Sequence, residues 1–153
     1  MNPKNFKSTK RFTGFPCTHR QWKADSHCRF VHGYSREFYF EFAASELTPE
    51  GWIVDFGGLK ELKTWLETQF DHTFLVAQDD PELAAFKELD QKGVIQLRVL
   101  PNPGMEGTAE YVYHMASKIL EKLYGTRAWI TKVEVSENEK NSAIYLPWFG
   151  LTI

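Results

Sequence analysis

Residues 27–35 read HCRFVHGYS and put a thiol, two imidazoles and a phenol on one short stretch. A thiol is a base or nucleophile once deprotonated, and a neighbouring imidazole or positive ion favours the thiolate. Imidazole is also a common ligand of zinc and similar ions. His32 has a possible companion in His19, thirteen residues earlier, on the other side of a segment rich in turn residues. Taken alone, that pair describes two surface or half-buried histidines as well as it describes two metal ligands. Cys28 alone describes a small buried hydrophobe as well as it describes a base.

Two further groups carry possible chemistry. Asp71 precedes His72 in TQFDHTFL, and a carboxylate that holds an imidazole sets its tautomer and raises its basicity. Neighbours on a strand point in opposite directions, so contact between them requires a turn. At a helix end, His72 would instead simply favour the negative end of the dipole. Glu137 ends the β-rich run VEVSEN, where a carboxylate can accept paired N–H bonds from a planar heterocycle or can lie solvated at a strand end.

These residues need elements to position them. Residues 6–13 form a first strand, and residues 15–27 form a long irregular segment. REFYFEFAA alternates, with Phe38, Phe40 and Phe42 on one face; His32 and Tyr34 share their parity and fall on that face of an unbroken strand. Leu59, Leu62, Leu66 and Phe70 recur at helical spacing. Asp80 and Pro81 open a short helix with Leu83, Phe86 and Leu89 on one face. Ile95, Leu97 and Val99 alternate as a strand. Thr108 caps a long helix with Val112, Met115, Ile119 and Leu123 on one face, and Gly125 ends it. Trp129, Thr131, Val133 and Val135 alternate along the next strand, and residues 144–146 form a last one. Paired strands at both ends with helices between them indicate an α+β domain, an antiparallel sheet covered on one face.

The bulk numbers agree with one domain over residues 1–153. At 153 residues, 42% hydrophobic and 25% charged, the chain can build a core of its own. A net charge of −2 gives no footprint for nucleic acid or an anionic membrane. No apolar run reaches the length of a membrane span, and the basic N-terminus lacks the apolar stretch of a secretory signal. Two cysteines, Cys17 and Cys28, fit free thiols in a cytoplasmic protein. Aromatic content of 15% suggests broad packing surfaces and a subunit interface, to which the apolar C-terminal PWFGLTI is a candidate contributor.

Together these segments resemble the 6-pyruvoyltetrahydropterin synthase and 6-carboxytetrahydropterin synthase family. FPCTHR resembles the segment of that family's first metal histidine, and CRFVHGYS its Cys-spacer-His-Gly-His segment. GWIVDFGGLK, FDHTFL, GTAE, and VEVSEN followed by SAIY resemble the remaining motifs, in the same order from about Phe12 to Tyr145. The three residues between Cys28 and His32 resemble the spacer of the carboxytetrahydropterin synthases of queuosine biosynthesis more than the longer spacer of the pyruvoyl enzymes.

The resemblance implies a T-fold whose subunits join their sheets into a barrel, a homo-oligomer up to a hexamer with active sites at subunit interfaces. It implies a lyase that converts 7,8-dihydroneopterin triphosphate to 6-carboxytetrahydropterin, acetaldehyde and triphosphate. His19 and His32 would bind a divalent metal, zinc in the family's manner, which would act as a Lewis acid. Cys28 would take the substrate proton, Asp71 and His72 would form a relay, and Glu137 would hold the pterin ring with help from backbone near Thr108. The chain departs from the family at Tyr34, which stands where a third metal imidazole is expected. Tyr34 phenolate, His27 or water are the alternatives for that ligand, as is a different divalent ion. A pyruvoyl-type enzyme, or a non-catalytic pterin-binding paralogue with a degraded metal site, are the other readings of the same motifs.

Overall fold

The computed structural model describes residues 1–147; Trp148 and the rest of the apolar C-terminal segment lie outside the described residues. Six strands form one sheet in the order β4-β3-β1-β2-β5-β6. These are β1 (Ser8–His19), β2 (His32–Ala44), β3 (Thr73–Ala77), β4 (Leu97–Leu100), β5 (Ala128–Ser136) and β6 (Ser142–Tyr145). β2 pairs antiparallel with β1 and β5, and β5 pairs antiparallel with β6, as the alternating sequences indicate. The antiparallel sheet expected from the sequence holds for these four strands and not for the other two: β3 runs parallel to β1, and β4 parallel to β3. The sheet is therefore mixed. The five residues of β3 are all buried, so the segment has no polar alternation to announce a strand.

One face of the sheet carries Phe12, Phe15, Phe38, Phe40 and Phe42, all 6% exposed or less. Helices α1 (Lys60–Phe70) and α3 (Met105–Tyr124) cover that face with Leu62, Leu66, Phe70, Ala109, Val112, Ala116 and Leu120. The α1 stripe is the one its sequence spacing indicates. On α3 only Val112 of the expected four is fully buried, and Leu123 is exposed, because the helix turns Ala109, Ala116 and Leu120 inward instead. The short α2 (Leu83–Gln91) packs through Phe86 edge-on to Phe74 of β3, with ring centroids 4.7 Å apart, while Leu89 stays exposed.

Two irregularities shift side chains at the working end of the sheet. β1 bulges at residues 13–14, where Gly14 adopts φ 85°, and beyond it Phe15, Cys17 and His19 point inward. The strand therefore runs to His19, and the irregular segment expected over residues 15–27 starts only after it. On β5 a second bulge at Thr131 puts Trp129 and Thr131 on the opposite face from Val133 and Val135, so the continuous alternation expected there is broken. On β4 the core residue is Leu100, of the other parity from the expected Ile95, Leu97 and Val99.

Candidate functional site

His19 ends β1 and His32 begins β2, and the two are direct cross-strand partners. Their rings lie 4.6 Å apart between centroids. Gly33 follows His32 where a Cβ would meet the Cys17 carbonyl oxygen at 2.7 Å, so only glycine lets the two strands close at this point. His32 Nδ1 lies 2.6 Å from the Phe30 carbonyl oxygen. A carbonyl only accepts, so Nδ1 carries a proton and donates it here. His19 is buried, its Nδ1 has no hydrogen-bond partner among the described residues, and its pKa is lowered to about 3 by burial, then by the charges of Arg36 and His32. His19 is therefore a neutral imidazole, the form that ligates a metal.

The next inward positions of β2 are Tyr34 and Arg36. The Tyr34 ring stands edge-on to His32 at 5.8 Å. Arg36 is 1% exposed, yet the sequence reading passed over it because a charged residue in a Phe-rich strand carries no motif. Its Nη1 donates to Thr108 Oγ1 at 2.8 Å and its Nη2 to the Pro103 carbonyl at 2.9 Å. Burial presses the guanidinium below its usual pKa range, against the pull of Cys17 and Glu137. Thr108 is thus not the helix cap expected of it. Gly104 is the N-cap, α3 starts three residues before Thr108, and the Thr108 N–H bonds back to the Gly104 carbonyl. Its hydroxyl is a buried junction between sheet and helix.

Glu137 follows β5, half-buried, with its N–H donated to the Asn141 carbonyl across the β5–β6 turn. It shares the parity of Val133 and Val135 and so falls on the same face as Arg36, one step beyond the Glu37–Ser136 pair. His19, His32, Tyr34, Arg36, Thr108 and Glu137 thus gather at one end of one face.

Cys28 lies in a short helical turn, His27–Arg29, half-buried; its N–H donates to Ser26 Oγ and its carbonyl accepts from the Gln21 N–H at 2.9 Å. The loop that carries it is tied down on two sides. Arg20 grips the buried Asp80 through two hydrogen bonds of 2.6 and 2.8 Å, and Trp22 and Lys23 both reach Asp79. Asp80 Oδ1 also accepts from the Glu82 N–H, so the residue expected to start α2 caps a turn ahead of it, and the helix proper begins at Leu83. Gln21 reaches Asn102 in the loop before α3.

Asp71 and His72 do meet, because a turn separates α1 from β3. His72 sits at φ 57°, a left-handed conformation, and its Nδ1 lies 2.7 Å from Asp71 Oδ1. The carboxylate fixes the Nδ1–H tautomer and leaves Nε2 to move a proton. His72 lines a cavity of about 490 Å³ with Pro16, Thr18, Gly33, Ser35 and Val94, among others. Cys17 and Tyr34 also border this cavity, but the strand register pairs Cys17 with Thr73 and so sets His72 beside Pro16, on the other face of the sheet from His19 and His32 within one chain.

The donor set does not make the three-ligand centre implied by the resemblance. Among the described residues no three His, Cys, Asp or Glu side chains are grouped to hold a metal ion. Two imidazoles are in place, the third inward position is a tyrosine, and His27 is exposed in the adjoining turn. No helix among the described residues is long and apolar enough to cross a membrane.

Comparison with known proteins supplies the context for this geometry. The fold is that of an uncharacterized protein from Wolinella succinogenes, with a TM-score of 0.79 at 19% identity over 92% of this chain and 97% of that one. A Plasmodium vivax 6-pyruvoyltetrahydropterin synthase superposes with a TM-score of 0.64 at 16% identity over the same shares. The chain is 31% identical over 119 residues to a Rickettsia conorii protein named 6-carboxy-5,6,7,8-tetrahydropterin synthase, 77% of this chain and 83% of that protein. A Rickettsia typhi protein of the same name is 29% identical over 136 residues, 87% and 94% of the two chains. A family model described as 6-pyruvoyl tetrahydropterin synthase matches residues 8–147, so the chain belongs to that family and is an enzyme of its lyase class.

Proposed function

We propose that this protein converts 7,8-dihydroneopterin triphosphate to 6-carboxytetrahydropterin with release of acetaldehyde and triphosphate, the reaction that supplies 7-deazaguanine and queuosine synthesis. The observation that carries the proposal is the match to the Rickettsia relatives of that name along most of the chain. The three-residue spacer between Cys28 and His32 points the same way.

In this reading Glu137 accepts N–H groups of the pterin ring at the end of the inward face, beside the fixed charge of Arg36. Cys28 takes a proton from a side-chain carbon, on a loop held by Arg20–Asp80. Loss of that proton leaves negative charge on the side chain, and triphosphate departs with the electron pair of the broken carbon–oxygen bond, which discharges it. Uptake of one water with carbon–carbon cleavage then leaves the carboxylate on the ring and releases the two-carbon aldehyde. His72 Nε2 handles protons in these steps, with its tautomer set by Asp71.

Within one chain His72 lies on the opposite sheet face from His19 and His32, and its side chain is 75% exposed. A homo-oligomer, hexamer or smaller, in which the Asp71–His72 pair of one copy meets the Cys28 end of another completes the site. The imidazole donors at this end are two rather than the three of a catalytic zinc centre.

Purified protein mixed with 7,8-dihydroneopterin triphosphate and followed by mass spectrometry tests the proposal. 6-Carboxytetrahydropterin with acetaldehyde supports it. A pyruvoyl product transfers the protein to the sister activity, and pterin binding without turnover makes it a binding protein.

A further inference from the structure

Three consecutive inward positions of β2 are His32, Tyr34 and Arg36. The middle one is where a third imidazole would complete a metal centre with His19 and His32. It holds a phenol whose ring packs edge-on to His32. The next holds a guanidinium that is 1% exposed and bound only to a hydroxyl and a carbonyl, both neutral. No carboxylate lies within ion-pair distance of it among the described residues, so its full charge acts on its surroundings. That charge bears on His19, on Cys17 and on Glu137.

A divalent ion between His19 and His32 would have two neutral donors, no anionic ligand and a fixed cation buried on the same sheet face. Catalytic zinc ordinarily takes three protein ligands, and here one is replaced while a competing positive charge is added. Low dielectric at this depth strengthens the repulsion between like charges. Charge at the site would be supplied by a residue that stays protonated throughout the folded range rather than by an ion that exchanges.

We propose that the His19–His32 pair is not a resident zinc site in this protein, and that the permanent positive charge at this end of the sheet is Arg36. The proposal rests on the reading of His19 and His32 as the family's metal positions. Its readout is zinc affinity rather than turnover, so it stands or falls apart from the substrate assignment.

The test is a zinc titration of the intact protein against a chromophoric chelator, with metal content after purification measured by mass spectrometry. The wild type is expected to purify without stoichiometric zinc and to lose added zinc to the chelator. Tyr34→His, at a position 37% exposed and so tolerant of change, is expected to raise zinc affinity at least about 100-fold, the scale on which metal-site groups act. Adding Arg36→Met to that variant is expected to raise it further. One zinc per wild-type chain that survives the chelator would overturn the proposal. Unchanged affinity in Tyr34→His would overturn it as well, by showing that neither the position nor the neighbouring charge sets the metal preference.

Discussion

Arg36 of β2 donates a 2.8 Å hydrogen bond to Thr108 Oγ1 of α3, and both side chains are buried to within 1%. This bond, with the second from Arg36 to Pro103, joins the sheet to the start of the helix at the end where the candidate residues gather. Removing the acceptor of a buried charged donor, which leaves the charge in place with one bond fewer, costs more than removing the charge itself. Thr108→Val is expected to lower the unfolding free energy by about 2 kcal/mol. Arg36→Met is expected to cost less, and the double variant to recover part of the Thr108→Val loss. Urea unfolding of the four proteins checks the order.

The Arg20–Asp80 pair is the corresponding tie for the Cys28 loop, with the Asp80 side chain fully buried and Arg20 18% exposed. Arg20→Ala leaves a buried carboxylate uncompensated and is expected to cost about 3 kcal/mol. The Arg20 hydrogen bonds hold the Asp80 carboxyl below the usual carboxylate range. Its contribution is therefore complete at neutral pH and lost as pH falls through the depressed value. Acid titration of stability should be shallower in Asp80→Asn than in wild type.

Cys28 is half-buried in a short turn and carries no packing comparable to that of the core phenylalanines. Cys28→Ala is expected to leave stability within about 0.5 kcal/mol of wild type. If Cys28 is the base, the same change should lower turnover about 100-fold or more. Unchanged turnover would remove Cys28 from the mechanism.

His72 is the one non-glycine residue with positive φ among the described residues. A left-handed residue with a Cβ is strained by about 1 kcal/mol, and glycine is free of that strain. His72→Gly is expected to keep or slightly raise stability while turnover falls about 100-fold. His72→Gln, which keeps a polar side chain but no titratable nitrogen, should fall equally in turnover. Thermal unfolding beside product formation separates the two effects.

His19 stays neutral in the folded state to about pH 3, whereas an unfolded histidine titrates near 6.5. Below about pH 6.5 the unfolded chain binds a proton that the folded one refuses, so stability falls with falling pH by up to about 1.4 kcal/mol per unit. Above that range the group contributes no pH dependence. His19→Gln is expected to remove this part of the acid slope between pH 6 and pH 4, measured by urea unfolding at each pH.

The sequence by itself determined the elements whose pattern depends on one partner face. Phe38, Phe40 and Phe42 announce β2, Leu62, Leu66 and Phe70 announce α1, and the Gly125 stop is where α3 ends with φ 59°. It also determined that His32 and Tyr34 share the inward face, since strand parity is a local property. Tertiary structure decided what depends on contacts between distant segments. The bulges at residues 13–14 and 131 set the final facing of His19 and Trp129, and a bulge arises from pairing, not from composition. β3 is buried on both faces and so has no alternating signal. Nothing in the local sequence marks Arg36 as buried; Thr108 and Pro103, about seventy residues away, close over it. The separation of His72 from the His19–His32 pair is likewise a matter of sheet faces, which motif order along a chain does not encode.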